Sequence, residues 1–221
     1  MATQVNAHQR SAEADLEPST VAATIARVAT RLFAERGFDA TSIREIAEAA
    51  GVTKPALYYH FGSKQGLGEA ILTRPLTDLA EELARLAASD LGDRDPVQLL
   101  EAIFQAHLDF VAANPDRSRF VLAVCFGPID TGFRAEIGRS GKSFHQSMLG
   151  AVGRLAAAGV IPPDRVAACA EFCRRLMLTS TMDHVFHCEA IADDLAGQLV
   201  HDLLNGFARP AGSFRGTTNK E

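Results

Sequence analysis

The stretch from Thr41 to Lys64, TSIREIAEAAGVTKPALYYHFGSK, decides the fold. Ser42 and Glu45 have the spacing of a capping box, in which each side chain satisfies a free backbone donor of a helix's first turn. Ile43, Ile46, Ala47 and Ala50 repeat at helical steps and form one inward face. Gly51 stops that helix after about two turns. Thr53 caps the next helix, and Pro55 is tolerated there because first-turn N–H groups have no partner within the helix. Leu57 is its core residue, Phe61-Gly62 ends it, and Ser63 caps a further helix. Two very short helices joined through one glycine turn make a helix-turn-helix unit.

Working outward, Ser19 or Thr20 caps a preceding helix whose Ile25, Val28, Ala29, Leu32 and Phe33 build one apolar stripe. Gly37 supplies a left-handed stop, and Phe38 folds back on the same core. Beyond Lys64 the pattern is helical throughout. Leu67, Ile71 and Leu72 lead to Pro75, which is expected to kink or break the fourth helix. Leu76, Leu79, Leu83 and Leu86 carry it on to about Ala88. A loop at Gly92 to Asp95 precedes a helix over 96–113, with Leu99, Leu100, Ile103, Phe104, His107 and Val111 on its apolar side. Further helices are expected over 117–126, 132–158, 164–188 and 193–208, separated by Asn114-Pro115, Gly127-Pro128 and a turn at 159–163. No strand pair and no internal repeat emerges, so the expected class is all-α with about nine helices. The expected organisation is a disordered tail (1–18), a helix-turn-helix domain (19–66), a helical ligand-binding and dimerisation domain (67–208) and a flexible tail (209–221).

The composition fits a soluble globular chain, with 47% hydrophobic and 22% charged residues. The longest apolar run, Phe120 to Ile129, is broken by Gly127-Pro128 and is too short to span a bilayer. The first residues lack the apolar core of a secretory signal, so a cytoplasmic location is expected. Cys125, Cys169, Cys173 and Cys188 form no C-x-x-C pair and read as reduced, buried thiols rather than a disulfide framework. The net charge is −5, yet residues 19–75 hold seven Lys/Arg against five Asp/Glu. The net-positive block therefore contains the opening stretch, a modest electrostatic preference for a polyanion there.

Residues 21–72 resemble the tetracycline-repressor (TetR) family of bacterial transcription regulators. The resemblance rests on residues 29–67, ATRLFAERGFDATSIREIAEAAGVTKPALYYHFGSKQGL, with its tandem of A-x-x-L-F-x-x-x-G-F, T-S-x-x-x-I-A-x-x-A-G-V and L-Y-Y-H-F-x-S-K. It covers about a quarter of the chain; the remainder agrees only in architecture. It implies a homodimer that binds a palindromic operator in double-stranded DNA and is released by a small-molecule effector held in the C-terminal domain. One departure is Gly66 and Gly68 at the start of the fourth helix, where glycine costs about 1 kcal/mol each relative to alanine and would soften the hinge.

Within the unit the second short helix is expected to enter the major groove. Arg44 can reach a guanine edge or a phosphate, while Thr41 and Ser42 cap and lie near the backbone. Thr53, Lys54, Pro55 and Ala56 form the leading face: Lys54 can donate to guanine, and Pro55 and Ala56 can touch thymine methyls. Tyr58, Tyr59, His60 and Lys64 carry groups that suit phosphate oxygens. The alternative for Tyr59 is partial packing inside the unit. So short a recognition helix reads few base pairs, which calls for a dimer. Leu195, Leu199, Leu203 and Phe207, widened by Val200 and Leu204, and Val166, Ala170, Cys173, Leu176 and Met177 offer an isologous contact through the last two helices.

Phe104, His107, Val111, Phe120, Val124, Phe144, Met148 and Phe172 are the candidate lining of an apolar effector pocket, with a packed core as the alternative for each. The effector would be apolar or amphipathic. His184, His187 and Cys188 suggest a zinc site by residue type, but too few ligands accompany them, and histidines near a helix end also favour the helix dipole; no metal is assigned. No G-x-S-x-G, phosphate loop, dinucleotide fingerprint or H-E-x-x-H is present, so neither an enzyme nor a cofactor is expected.

Overall fold

Local sequence chemistry sets the helix ends. The structure, a computed structural model, describes residues 20–89, 95–127, 132–187 and 189–206. Helix α1 (Val21–Arg36) is capped by Thr20, whose hydroxyl accepts from the Ala23 N–H. Helix α2 (Ile43–Ala50) carries the complete Ser42/Glu45 capping box. Gly51 closes it at φ 67°, ψ 29°, a left-handed conformation that glycine adopts without a Cβ penalty. Helix α3 (Lys54–Phe61) starts on the Thr53 cap with Pro55 in its first turn.

The long helix α4 is continuous but irregular. It begins as Lys64–Gly68, widens into a π turn over Glu69–Thr73 and resumes as Arg74–Ala88. The π turn places the expected disturbance just before Pro75, which lacks an N–H and crowds the preceding turn. Helix α5 (Pro96–Ala113) has the expected bounds. Helix α6 (Pro115–Phe126) begins two residues earlier than expected, because the Asn114 side chain caps Arg117 and Pro115 is suited to a first turn. Helices α7 (Arg134–Ala157), α8 (Val166–His187) and α9 (Leu195–Asn205) complete the set, with a 3-10 turn at Pro163–Arg165. Nine helices and no strand occur among the described residues. Helix α9 ends earlier than expected because Gly206 takes positive φ and turns the chain. Expectations for the two tails, Ser19, residues 92–94, Pro128, Cys188 and Phe207 lie outside the described residues.

Two apolar cores result. The first joins α1, α2 and α3 to the start of α4 and includes Phe120 and Val124 of α6 and Phe133. Phe33, Phe38, Phe120 and Phe133 form its centre, with Phe33–Phe38 centroids 4.9 Å apart and Phe38 meeting Phe133 edge-on at 4.9 Å. Such ring pairs add about 0.5–1.5 kcal/mol beyond area burial. The second core lies among α4, α5, α7, α8 and α9, around Leu100, Phe104, Met148, Cys173, Met177 and Val200.

Arginines fasten the helix ends by donating to exposed C-terminal carbonyls. Arg134 reaches Val124 O (3.2 Å) and Gly127 O (2.6 Å) at the end of α6, and Arg119 reaches Val185 O at 2.8 Å near the end of α8. The cysteine expectation needs correction: Cys173 is buried, but Cys125 is exposed and Cys169 half-buried, because each sits on the outer side of its helix. No helix among the described residues is long and apolar enough to cross a membrane.

Candidate nucleic-acid interface

Leu57, fully buried, anchors α3 against α1 and α2 while the rest of the short helix stays outside. Its burial presents Lys54, Pro55, Tyr58, Tyr59 and His60 together on the solvent side, with Ala56 half-buried at their edge. Tyr58 is 48% and Tyr59 85% exposed. Exposing two tyrosines this far is unusual for rings that could pack, and it leaves both hydroxyls free to meet an acceptor. The Tyr59 and His60 rings stand edge-to-face at 5.2 Å, which holds them as a pair. The alternative in which Tyr59 packs inside the unit is thereby corrected: Leu57 and Phe61 take the inward positions, and Tyr59 falls on the opposite side of the helix.

The flanking residues divide between exposed and structural ones. Thr53 is exposed, and its hydroxyl accepts from the Ala56 N–H at 3.3 Å. Ser42 is exposed at the start of α2, where its hydroxyl accepts from the Glu45 N–H at 3.2 Å in the capping box. The exchange of hydrogen bonds with Ser42 holds the Glu45 carboxyl below its ordinary range. Arg44 projects outward and pairs with Glu48 at 2.8 Å, 71% and 64% exposed. A pair this open is worth only a few tenths of a kcal/mol, so the guanidinium can exchange Glu48 for another anion.

Two expected contact residues are placed differently. Thr41 is 1% exposed, and its hydroxyl donates to Gly37 O at 2.8 Å, so it fastens the α1–α2 turn instead of facing outward. A hydroxyl following a positive-φ glycine turn is drawn into the unpaired carbonyls there. Lys64 bends back over the Phe38 ring, 4.4 Å from its centroid, and donates to Asp39 O at 3.3 Å. Partial burial lowers its pKa, and it ties the start of α4 to the α1–α2 turn. The two glycines that sequence marks as softening are also explained. A Cβ at Gly66 would overlap the Phe61 carbonyl oxygen, and one at Gly68 would overlap Phe133 and touch Phe38. They allow close packing of α4.

The eight candidate effector residues do not line one space. Phe104, Met148 and, at its margin, Phe144 belong to the second core, and His107 joins them with its ring 5.8 Å from Phe144. Val111 is buried on the same helix as His107. Phe120 and Val124 instead pack into the first core, because the part of α6 that carries them faces α1. Phe172 is 50% exposed on α8, one position off the buried Ala170, Cys173 and Met177. Two shallow surface grooves, of about 490 Å³ beside Lys142 and Arg174 and about 470 Å³ along α9 beside His201, involve none of the eight.

Two buried polar residues of the C-terminal helices escaped the sequence reading: Ser118 and Thr181. Thr181 follows Cys173 and Met177 at helical steps and is buried with them. A hydroxyl on an otherwise apolar stripe was the available signal. His184 does not join a metal cluster: its Nδ1 faces Glu189 O at 2.7 Å, while His187 pairs with Asp183 at 3.1 Å. No group of potential metal ligands assembles among the described residues, and Cys188 lies outside them.

Residues 25–71 match the family described as bacterial regulatory proteins, tetR family. The HTH-type transcriptional repressor KstR2 of Rhodococcus jostii is 39% identical over 101 residues, 43% of this chain and 49% of that protein. The HTH-type transcriptional activator FasR of Mycolicibacterium smegmatis is 34% identical over 93 residues, 42% of this chain and 41% of that protein. The chain thus spans about half the length or less of these curated relatives. The solved structure of the ketosteroid transcriptional regulator KstR2 of Mycobacterium tuberculosis superposes with a TM-score of 0.68 at 20% identity, over 88% of this chain and 98% of that one, and shows the shared fold.

Proposed function

We propose that this chain is a transcriptional regulator that binds operator DNA through α3, a reading supported by the match of residues 25–71 to the tetR family of bacterial regulatory proteins. The observation that carries this reading is the outward face of α3, with Lys54, Pro55, Tyr58, Tyr59 and His60 held off the core by Leu57. Lys54 offers donors to a guanine edge, Pro55 and Ala56 offer apolar contact to thymine, and the tyrosine hydroxyls, His60, Ser42, Thr53 and Arg44 surround them as phosphate contacts.

The working form is a homodimer on a palindromic operator. Its support is the outer side of α8, where Phe172 (50%), Met182 (40%) and Phe186 (51%) are exposed on one side of the helix with Leu176 half-buried among them. Leu199 and Leu203 of α9 are likewise only partly covered. Exposed large apolar side chains in line suit an isologous contact with a second copy. A small apolar or amphipathic effector acts through the C-terminal helices. Repression is the first reading; activation is the second, favoured by the activator among the relatives.

The experiment is retardation of the DNA upstream of its own gene by the purified chain. Retention at low salt, with steep loss as salt rises, is the expected result. Failure to retard that DNA at low salt contradicts the proposal.

A further inference from the structure

The buried polar atoms of the C-terminal helices point to a ligand chemistry. Among the described residues, His107 Nδ1 on α5, Ser118 Oγ on α6 and His184 Nε2 on α8 are enclosed without a hydrogen-bond partner. Hydrogen bonds near these atoms join the three helices that carry them. His107 Nε2 lies 3.0 Å from Thr181 Oγ1, and His184 is three residues further along α8. Arg119, next to Ser118, donates at 2.8 Å to the carbonyl of Val185, next to His184.

The ring protons are assigned by keeping every hydrogen bond around the two rings made at once. The Thr181 hydroxyl has one proton and donates it to Met177 O at 2.8 Å. Its oxygen therefore accepts from His107 Nε2–H, and in the neutral ring Nδ1 is a bare acceptor. A carbonyl only accepts, so His184 Nδ1 donates to Glu189 O, and in the neutral ring its Nε2 is bare as well. Burial pushes the His107 pKa down to about 4, so the ring does not become a second donor near neutral pH. The surroundings are apolar: Phe144 lies beside His107, and Phe104, Met148 and Met177 are buried in the adjoining core. Buried acceptors without donors are costly and rare, and here two histidines on adjoining helices each present one.

We propose that the α5–α6–α8 junction is the polar end of the effector site and takes an uncharged, mainly apolar molecule through a hydroxyl or amide N–H donated to His107 and His184. The proposal rests on the reading that these helices hold an effector. A carboxylate is disfavoured because it brings only acceptors and a charge that must be desolvated. Ser118 can donate to a carbonyl of the same ligand. A donor-bearing ligand satisfies atoms that the ligand-free packing leaves unpaired, so it favours any conformation that opens the junction.

The test titrates the full chain, labelled with nitrogen-15, with octanamide, N,N-dimethyloctanamide and octanoate. Calorimetry reads affinity, and long-range proton–nitrogen spectra read the imidazole nitrogens, assigned from the His107→Leu and His184→Leu variants. Octanamide is expected to bind at least about 10-fold more tightly than the dimethyl amide, which lacks a donor, and more tightly than octanoate. It should also move the His107 Nδ1 or His184 Nε2 resonance, and His107→Leu should reduce the discrimination. Equal affinity for the three probes overturns the proposal. So does an unmoved pair of resonances at saturating octanamide, which leaves the junction filled by water alone. If one variant does not fold, the resonance assigned from the other decides. DNA retardation by the same preparation without probe separates the two readings: DNA binding with no octanamide response overturns the junction alone, and absent DNA binding overturns the regulator.

Discussion

The Phe133 ring occupies the volume that a side chain on Gly68 would need: an added Cβ would overlap Phe133 Cζ and lie 3.0 Å from Phe38 Cε2. Glycine is therefore required where α4 passes between the turn after α1 and the start of α7. Gly68→Ala gains about 1 kcal/mol of helix propensity but overpacks a fully buried aromatic cluster, at about 1–3 kcal/mol. Phe133 is fully buried and Phe38 only 7% exposed, so overpacking wins. Thermal unfolding should show a lower Tm for Gly68→Ala. In contrast, a Cβ on Gly138 meets nothing within 4 Å, and Gly138→Ala should stabilise α7 by up to about 1 kcal/mol. A raised Tm for Gly68→Ala would refute the close-packing account.

The exposed face of α3 and its single anchor should separate in mutants. Leu57→Ala removes a fully buried side chain and should cost about 2–5 kcal/mol in denaturant unfolding. Tyr59→Ala removes a ring that is 85% exposed and should change stability by less than about 0.5 kcal/mol. If Tyr59→Ala destabilises as much as Leu57→Ala, the ring has a structural role that its exposure denies.

These contrasts mark how far the sequence was legible. Capping residues and turn glycines act locally, so Ser42, Glu45, Gly51 and Thr53 could be read from neighbours three or four positions away. The bounds of α5 followed from Pro96 and Asn114 in the same way. Long-range approach was not legible. Nothing near Gly68 in sequence announces Phe133, and nothing near Lys64 announces the Asp39 carbonyl. Helical periodicity says that Phe120 is buried but not against which core, so it entered the effector set although it packs on Phe33 at 5.4 Å. Thr41 and Lys64 were assigned outward from residue type, and unpaired carbonyls after Gly37 and at Asp39 draw them inward.

Buried His107 should make the chain acid-sensitive in a defined window. Its folded pKa of about 4 lies below the ordinary value of about 6.5, so the unfolded state binds the proton more readily. The contribution is neutral above about pH 6.5; stability falls as pH drops from there to about 4 and then levels off, by at most about 3 kcal/mol. Denaturant unfolding of wild type and His107→Leu across that range checks it. The variant should lose less stability on acidification, and parallel curves would remove His107 as the cause.

Ser42→Ala should lower stability by about 1 kcal/mol, because it leaves the Glu45 N–H without its cap. Ser42→Asp restores an acceptor in the same place, and unfolding should show most of the stability recovered. Equal loss in both variants would mean that the hydroxyl serves something other than the cap.

The central claim is that the outward face of α3 binds DNA, and its most direct test is the binding isotherm on the upstream operator as salt is varied, for wild type and Lys54→Ala. Wild-type affinity should fall by about 10³-fold or more between roughly 50 and 200 mM salt, as released counterions dictate. Lys54→Ala should bind about 10-fold more weakly at unchanged Tm if Lys54 reads a base edge. Wild-type affinity that is insensitive to salt, or a Lys54→Ala isotherm that overlies the wild type, would contradict the claim.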